Sequence, residues 1–265
     1  MNNLKVLIVL GLTILISSCN FKIKKTEIIP QNDWEYLFNG KNLDNWTAKI
    51  NHYNIGDNYK NTFRVSDNII HVNYDGYEGK LNERFGHLFY NKSFSSFHLK
   101  FEYRFTNEWL EDGPIHTYRN SGVMFHSQDP KTILKDQNWP ISIEFQLLAD
   151  ANKGERPTGN MCSPATEVYF EGEVSPKHCI SSSSKTYAYN QWVKAELIVY
   201  KDSIIKHFID GEEVLQYSKP HIGGRVVKNF DPAIKIDGKA LTEGYIGLQS
   251  EGQGVEFKEI KIKEL

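Results

Sequence analysis

The chain predicts an all-β fold, a sandwich or barrel of antiparallel strands, on three observations. Apolar residues recur at every second position in stretch after stretch, the signature of half-buried strands. Turn residues punctuate those stretches. Helical periodicity is scarce between them, which argues against alternating β and α units.

Taken in order, the first 18 residues read as an address. A short polar start with one lysine (1–5) precedes the apolar run "VLIVLGLTIL" (6–15), which at about ten residues is too short for a membrane span of roughly 20. Ser17 and Ser18 before Cys19 look like a lipobox, which makes Cys19 the expected lipidated first residue of the mature protein. Residues 19–32 form a charged tether, and residues 33–265 are long enough for one core.

In "FHLKFEYRF" (97–105) Phe97, Leu99, Phe101, Tyr103 and Phe105 share one face. "SGVMFHS" (121–127), "WPISIEFQLL" (139–148), "WVKAELIVY" (192–200), "SIIKHFID" (203–210) and "GYIGLQS" (244–250) also have strand length and composition. Asp210 and Gly211 sit where a tight hairpin turn is needed. In "VEFKEIKIKEL" the apolar phase slips from Val255 and Phe257 to Ile260 and Ile262, which predicts a bulge. Residues 106–120 and 150–185 read as long loops, of the kind that carry function.

The net charge of −2 comes without a basic stripe, which excludes nucleic acid as an expected partner. With Cys19 set aside, Cys162 and Cys179 remain, and in an exported chain a disulfide between them is the default.

Five segments, "DWEYLFNGKNLDNWTA", "RNSGVMFHSQDPKTILKDQNWPISIEFQLL", "RPTGNMCSPATEV", "HCISSSSKTYAYNQWVKAEL" and "LTEGYIGLQSEGQGVEFKEIKI", together resemble the bacterial 3-keto-disaccharide hydrolase family. The likeness implies a concanavalin-like jelly roll of two antiparallel sheets, one able to hold a sugar. It also implies substrates already oxidised at the 3-hydroxyl, cleaved by β-elimination and then hydrated.

Such chemistry needs a base for the hydrogen on carbon 2, a donor for the enolate oxygen and an acid near the leaving group. Glu144 is the expected base: it lies on the polar face of its strand and matches the carboxylate that follows "NSG" in the family pattern. Gln146, on the same face, can bond a sugar oxygen. Alternation carries Asn120 and His126 toward the same groove, with His126 as an acid or base, if Val123 and Phe125 face the core. Arg119, at the start of that strand, can swing to either side. Asp150 and Arg156 flank the cysteine-bearing loop. Trp139 and Trp109 are stacking candidates, and Gln249 and His178 complete the expected substrate-binding set.

Two other classes compete. A laminarinase-like glycoside hydrolase would need a second carboxylate near Glu144, which its own strand does not supply. A non-catalytic glycan-binding lipoprotein would use the groove without turnover. No cofactor is expected to be required. Dispersed histidines point to no metal site, while "LEDG" (110–113) leaves a divalent cation such as Ca2+ open. The expected partners are a small carbohydrate substrate and, through the lipid at Cys19, a membrane. The location that follows is the bacterial envelope, on the periplasmic face or the cell surface.

Overall fold

Alternation becomes two layers in the computed structural model, which describes residues 33–265. In chain order the strands are β1 (Glu35–Tyr36), β2 (Trp46–Ile50), β3 (Phe63–Ser66), β4 (Ile69–Val72), β5 (Gly86–Phe94) and β6 (Phe97–Trp109). Then come β7 (Asn120–Ser127), β8 (Ile143–Leu148), β9 (Asn160–Cys162), β10 (Thr166–Phe170), β11 (Glu173–Val174) and β12 (Cys179–Ile180). The chain closes with β13 (Val193–Tyr200), β14 (Ile204–Ile209), β15 (Glu212–Ile222), β16 (Gly244–Ser250) and β17 (Gln253–Glu264).

One sheet runs β11-β10-β15-β14-β13-β6-β17-β4-β3, with β1 paired to β17, and the other runs β12-β9-β8-β7-β16-β5-β2. All their pairings are antiparallel, so the fold is a jelly-roll sandwich, as the sequence implies. The apolar halves of the alternating strands meet between the layers. The Phe101 ring of β6 lies 5.8 Å from Phe145 of β8, and His207 of β14 stacks on Phe145 at 4.2 Å. Buried rings of this size supply most of the apolar area that drives folding.

Local expectations fare unevenly. Asp210 and Gly211, both at positive φ, close the β14–β15 hairpin between paired Ile209 and Glu212. The phase slip in β17 is a register shift between Lys258 and Lys261, with Glu259 at φ 52°. The expected loop at 106–120 is shorter, because β6 continues to Trp109. The expected loop at 150–185 instead holds four short strands: β9 and β12 extend the seven-stranded sheet beside β8, while β10 and β11 join the other sheet beside β15. Their alternating segments are too brief to register as periodicity.

Cys162 and Cys179 are directly opposed on β9 and β12 and form a disulfide. This ties the edge strand to its neighbour at the place where the sheet carries its polar face. Cys19, the expected signal segment and the expected tether lie outside the described residues.

Candidate active site

The side chains of the seven-stranded sheet that point away from the core fall into rows across the strands. In one row Gly247, Met124, Glu144, Cys162 and Cys179 are successive partners from β16 to β12. In the next, Gly122, Gln146 and Asn160 are partners, and continuing the Leu248↔Val123 pairing by one residue puts Gln249 beside Gly122. Residues 128–141 fold over the β2, β5 and β16 half of this face: Lys49 Nζ donates to the Lys135 carbonyl at 3.1 Å, and Trp139 stacks on Phe85 at 4.9 Å. What stays open is a cavity of about 430 Å³ over β7, β8 and β9. That is within the usual range for small-molecule sites.

Six of the expected residues line it: Asn120, Trp139, Glu144, Gln146, Arg156 and His178. The disulfide forms part of its wall. Glu144 is 7 % exposed, and no protein group donates to its carboxylate among the described residues. The side chain leans over Gly122: a Cβ there would lie 2.5 Å from Glu144 Oε1. The glycine of "NSG" is thus the space that the carboxylate occupies.

Two polar lining residues, Glu251 and His116, were not among the expected ones. Glu251 follows β16, two residues beyond Gln249, so carrying the same alternation one step further would have found it. It is 3 % exposed and held by three donors: Trp139 Nε1 at 2.6 Å and Gln249 Nε2 at 3.1 Å on Oε1, and Asn120 Nδ2 at 3.2 Å on Oε2. Burial pushes its carboxyl up to about 7 even though the Trp139 bond opposes the rise. Burial, reinforced by the negative charge of Glu251, raises Glu144 well above the usual carboxylate range. The two acids therefore titrate as a pair.

Across the cavity, Arg156 Nη1 donates to the carbonyls of Arg119 at 3.0 Å and Ala149 at 2.9 Å. Burial, with the nearby Arg119 guanidinium, lowers its proton affinity. Carbonyls rather than a carboxylate hold this cation, so its charge remains available to an anionic ligand oxygen. Gln146 Oε1 accepts from Asn160 Nδ2 at 3.0 Å, which leaves its own N–H groups for a ligand. Burial lowers the proton affinity of both His116 and His178, so each is neutral at pH 7.

The remaining expected residues lie elsewhere. His126 is at φ 46°, and this irregularity at the end of β7 turns its ring out of the expected alternation: Nε2 lies 3.0 Å from the Lys201 carbonyl, and the residue lines a different cavity. Arg119, at φ 49°, packs its guanidinium between the rings of Tyr118 and Tyr189, at 4.9 and 4.2 Å, and donates to the Asp150 carbonyl. Asp150 turns its carboxylate to Asn152 N at 2.7 Å. Gln249 is on the expected face but under the 128–141 segment, reaching the cavity only through Glu251. Trp109 packs edge-on against Tyr118 at 4.9 Å.

Asp112 of "LEDG" accepts from Leu81 N at 2.7 Å and Asn82 N at 3.1 Å, so its oxygens serve the backbone of a turn. Among the described residues one grouping of metal-type ligands, Cys162, His178 and Cys179, has its donor atoms within 4.8 Å. Two of those atoms are sulfurs bonded to each other.

Fold and site together define a jelly-roll domain with an acid–base cavity on the outer face of one sheet. The chain belongs to the 3-keto-α-glucoside-1,2-lyase-like domain family, whose sequence profile matches residues 33–263. A Bacteroides thetaiotaomicron protein named 3-keto-disaccharide hydrolase is 23 % identical over 249 residues, covering 86 % of this chain and 77 % of that one. A Parabacteroides distasonis structure, provisionally named a glycosyl hydrolase, superposes with a TM-score of 0.52 at 21 % identity, covering 88 % of this chain and 94 % of that one. A Bacillus subtilis protein described as having a galectin-like fold gives a TM-score of 0.50 at 11 % identity, covering 87 % and 94 %. At these identities the structural likenesses establish the fold alone.

Proposed function

We propose that this protein cleaves 3-keto-glycosides by β-elimination across carbons 1 and 2, followed by hydration, with Glu144 as the base. The observation that carries the reading is the bare, buried Glu144 carboxyl beside a second carboxylate, facing a cavity that also holds an uncompensated arginine.

A ketone at carbon 3 acidifies the hydrogen on carbon 2, and a base of raised proton affinity is suited to removing it. Glu144, in its ionised form, takes that proton, the electron pair passes into the carbon 3 oxygen as an enolate, and Arg156 steadies the charge. The pair then returns to expel the carbon 1 oxygen. Neutral Glu144 is the form that its surroundings favour, and it gives its proton to the departing aglycone oxygen. Water adds across the new double bond, hydroxyl to carbon 1 and hydrogen to carbon 2, so the net change is hydrolysis.

Glu251 raises the basicity of Glu144 rather than reacting. Its oxygens already accept three bonds, which argues against its being the nucleophile of a double-displacement glycosidase. The disulfide supports an oxidising compartment and hence export, with lipidation of Cys19 as the proposed anchor.

The test is turnover of a 3-keto-glucoside bearing a chromogenic aglycone, in deuterium oxide, for the wild type beside Glu144→Gln. Aglycone release with deuterium at carbon 2, reduced about 10²- to 10⁴-fold in the variant, is the expected result. Cleavage of unoxidised glycosides with 3-keto substrates untouched would replace the elimination by ordinary glycoside hydrolysis. Binding of an unoxidised glycan with no turnover of either would make the cavity a lectin site.

A further inference from the structure

The covered half of the outer sheet face carries a row of polar side chains that this chemistry leaves unused. Lys49 of β2, His87 of β5 and Gln249 of β16 are consecutive cross-strand partners. Strand alternation puts all three on the outer face, yet none is more than 3 % exposed. The Gln249 amide has a defined orientation, because its Nε2 donates to Glu251 Oε1 at 3.1 Å. Its Oε1 is left on the other side of the amide without a partner, and His87 Nε2, on the directly opposed residue, has none either. Directly opposed side chains start about 4.5–5.5 Å apart at Cβ, a spacing that a ring N–H and an amide oxygen can bridge. Buried polar atoms are rarely left unpaired, and two on adjacent partners answer each other.

From this row we infer that His87 is a positioning residue for the carboxylate pair: as the neutral Nε2–H tautomer it donates to Gln249 Oε1, clamping the Gln249 amide against Glu251. The inference deepens the acid–base reading of the cavity and rests on it only in taking Glu144 as the base.

The surroundings fit a fixed donor. Burial, together with the Lys49 charge on one side, lowers His87 to about 3, so its ring stays neutral throughout the working range. Lys49 is itself lowered to about 8 by burial, partly offset by Asp136, and its Nζ donates to the Ile50 and Lys135 carbonyls at 3.2 and 3.1 Å. From the other elements the charged or titratable groups facing the row are Glu251 after β16, Glu144 of β8 and Asp136 of the covering segment. No carboxylate bonds His87 among the described residues, so nothing there would hold the ring as a cation.

The experiment is a pair of NMR titrations of the whole chain: nitrogen-15 histidine shifts to read the His87 tautomer from pH 5 to 9, and carbon-13 carboxyl shifts to read Glu144 and Glu251. The wild type should show a neutral Nε2–H ring. His87→Phe should raise the Glu251 midpoint by on the order of one pH unit, about the loss of one hydrogen bond to a charged acceptor. His87→Gln, which keeps a donor, should restore most of that shift, and the alkaline and acid limbs of the kcat/KM profile should follow the same order. An Nδ1–H or cationic ring overturns the inference in the wild type alone. So does a Glu251 midpoint that His87→Phe leaves unmoved, or one that His87→Gln and His87→Phe shift equally, since the ring would then only fill volume. Both titrations are read without turnover, so inactivity toward 3-keto-glycosides would refute the proposed reaction and leave this clamp to be judged separately.

Discussion

Gly122→Ala isolates the placement of Glu144 from its chemistry. The added Cβ would lie 2.5 Å from Glu144 Oε1, 2.7 Å from Cγ and 2.9 Å from Cδ, whereas ordinary contact begins at 3.4 Å. Something must move by about 0.9 Å, and the backbone is the stiffer party, since Gly122 and Glu144 lie on β7 and β8 within a continuous ladder. The carboxylate is therefore displaced while its identity, burial and neighbours are kept. A misplacement near 1 Å costs about 10²-fold in rate, and overpacking costs about 1–3 kcal/mol of stability. Steady-state kinetics on a 3-keto-glucoside gives the first quantity and urea unfolding the second. Wild-type kcat/KM in a variant that is folded and carries the extra methyl would refute the argument, because the carboxylate would then have no required position.

Stability should fall as pH rises from about 4.5 to 7 on account of Glu251. A carboxyl held near 7 when folded and near 4.5 when unfolded binds more protons in the native state over that window, so this contribution is complete below 4.5 and lost as pH passes 7. The buried His87 and His207, lowered to about 3 and 4, act in the opposite direction below pH 6.5, so the measurement is the difference between wild type and Glu251→Gln in urea unfolding at pH 5 and pH 8, which includes the rise that the Glu251 charge gives Glu144. A difference that does not grow in favour of the variant at pH 8 would contradict the raised proton affinity. Replacing Cys162 and Cys179 together by serine should cost about 3 kcal/mol, the loop-closure value for a separation of 17 residues. Because β12 is a two-residue edge strand holding the rim of the cavity, substrate KM should rise more than kcat falls; unchanged KM would show that the rim stands without the bond.

How much of the site was legible depended on whether its parts shared a strand. Glu144 and Gln146 were readable together because alternation on β8 puts both on one face, and the apolar Ile143, Phe145 and Leu147 fix which face that is. Glu251 was not, since its partnership with Glu144 spans 107 residues of sequence and arises only because β16, β7 and β8 are neighbours. His126 misled for a complementary reason: period-two reasoning assumes regular backbone, and a positive φ at the strand end breaks it.

What the sequence determined by itself was therefore everything that alternation, turn chemistry and segment-by-segment likeness encode: the all-β class, the Asp210–Gly211 turn, the slip in β17 and the family-like polar strand. Those are local properties, set by which face of a strand is apolar and which residues accept positive φ. The tertiary structure alone decided which polar faces became a site. It roofed half of the outer sheet with residues 128–141, so that Gln249 was buried under it and Glu144 was left facing the cavity. It set a carboxylate over Gly122, a position without a side chain, and it brought Arg156 to the far wall on two carbonyls. Proton affinity follows from that enclosure: the same glutamates on an open strand would be ordinary acids, and it is the loss of water around two of them that gives one its basicity.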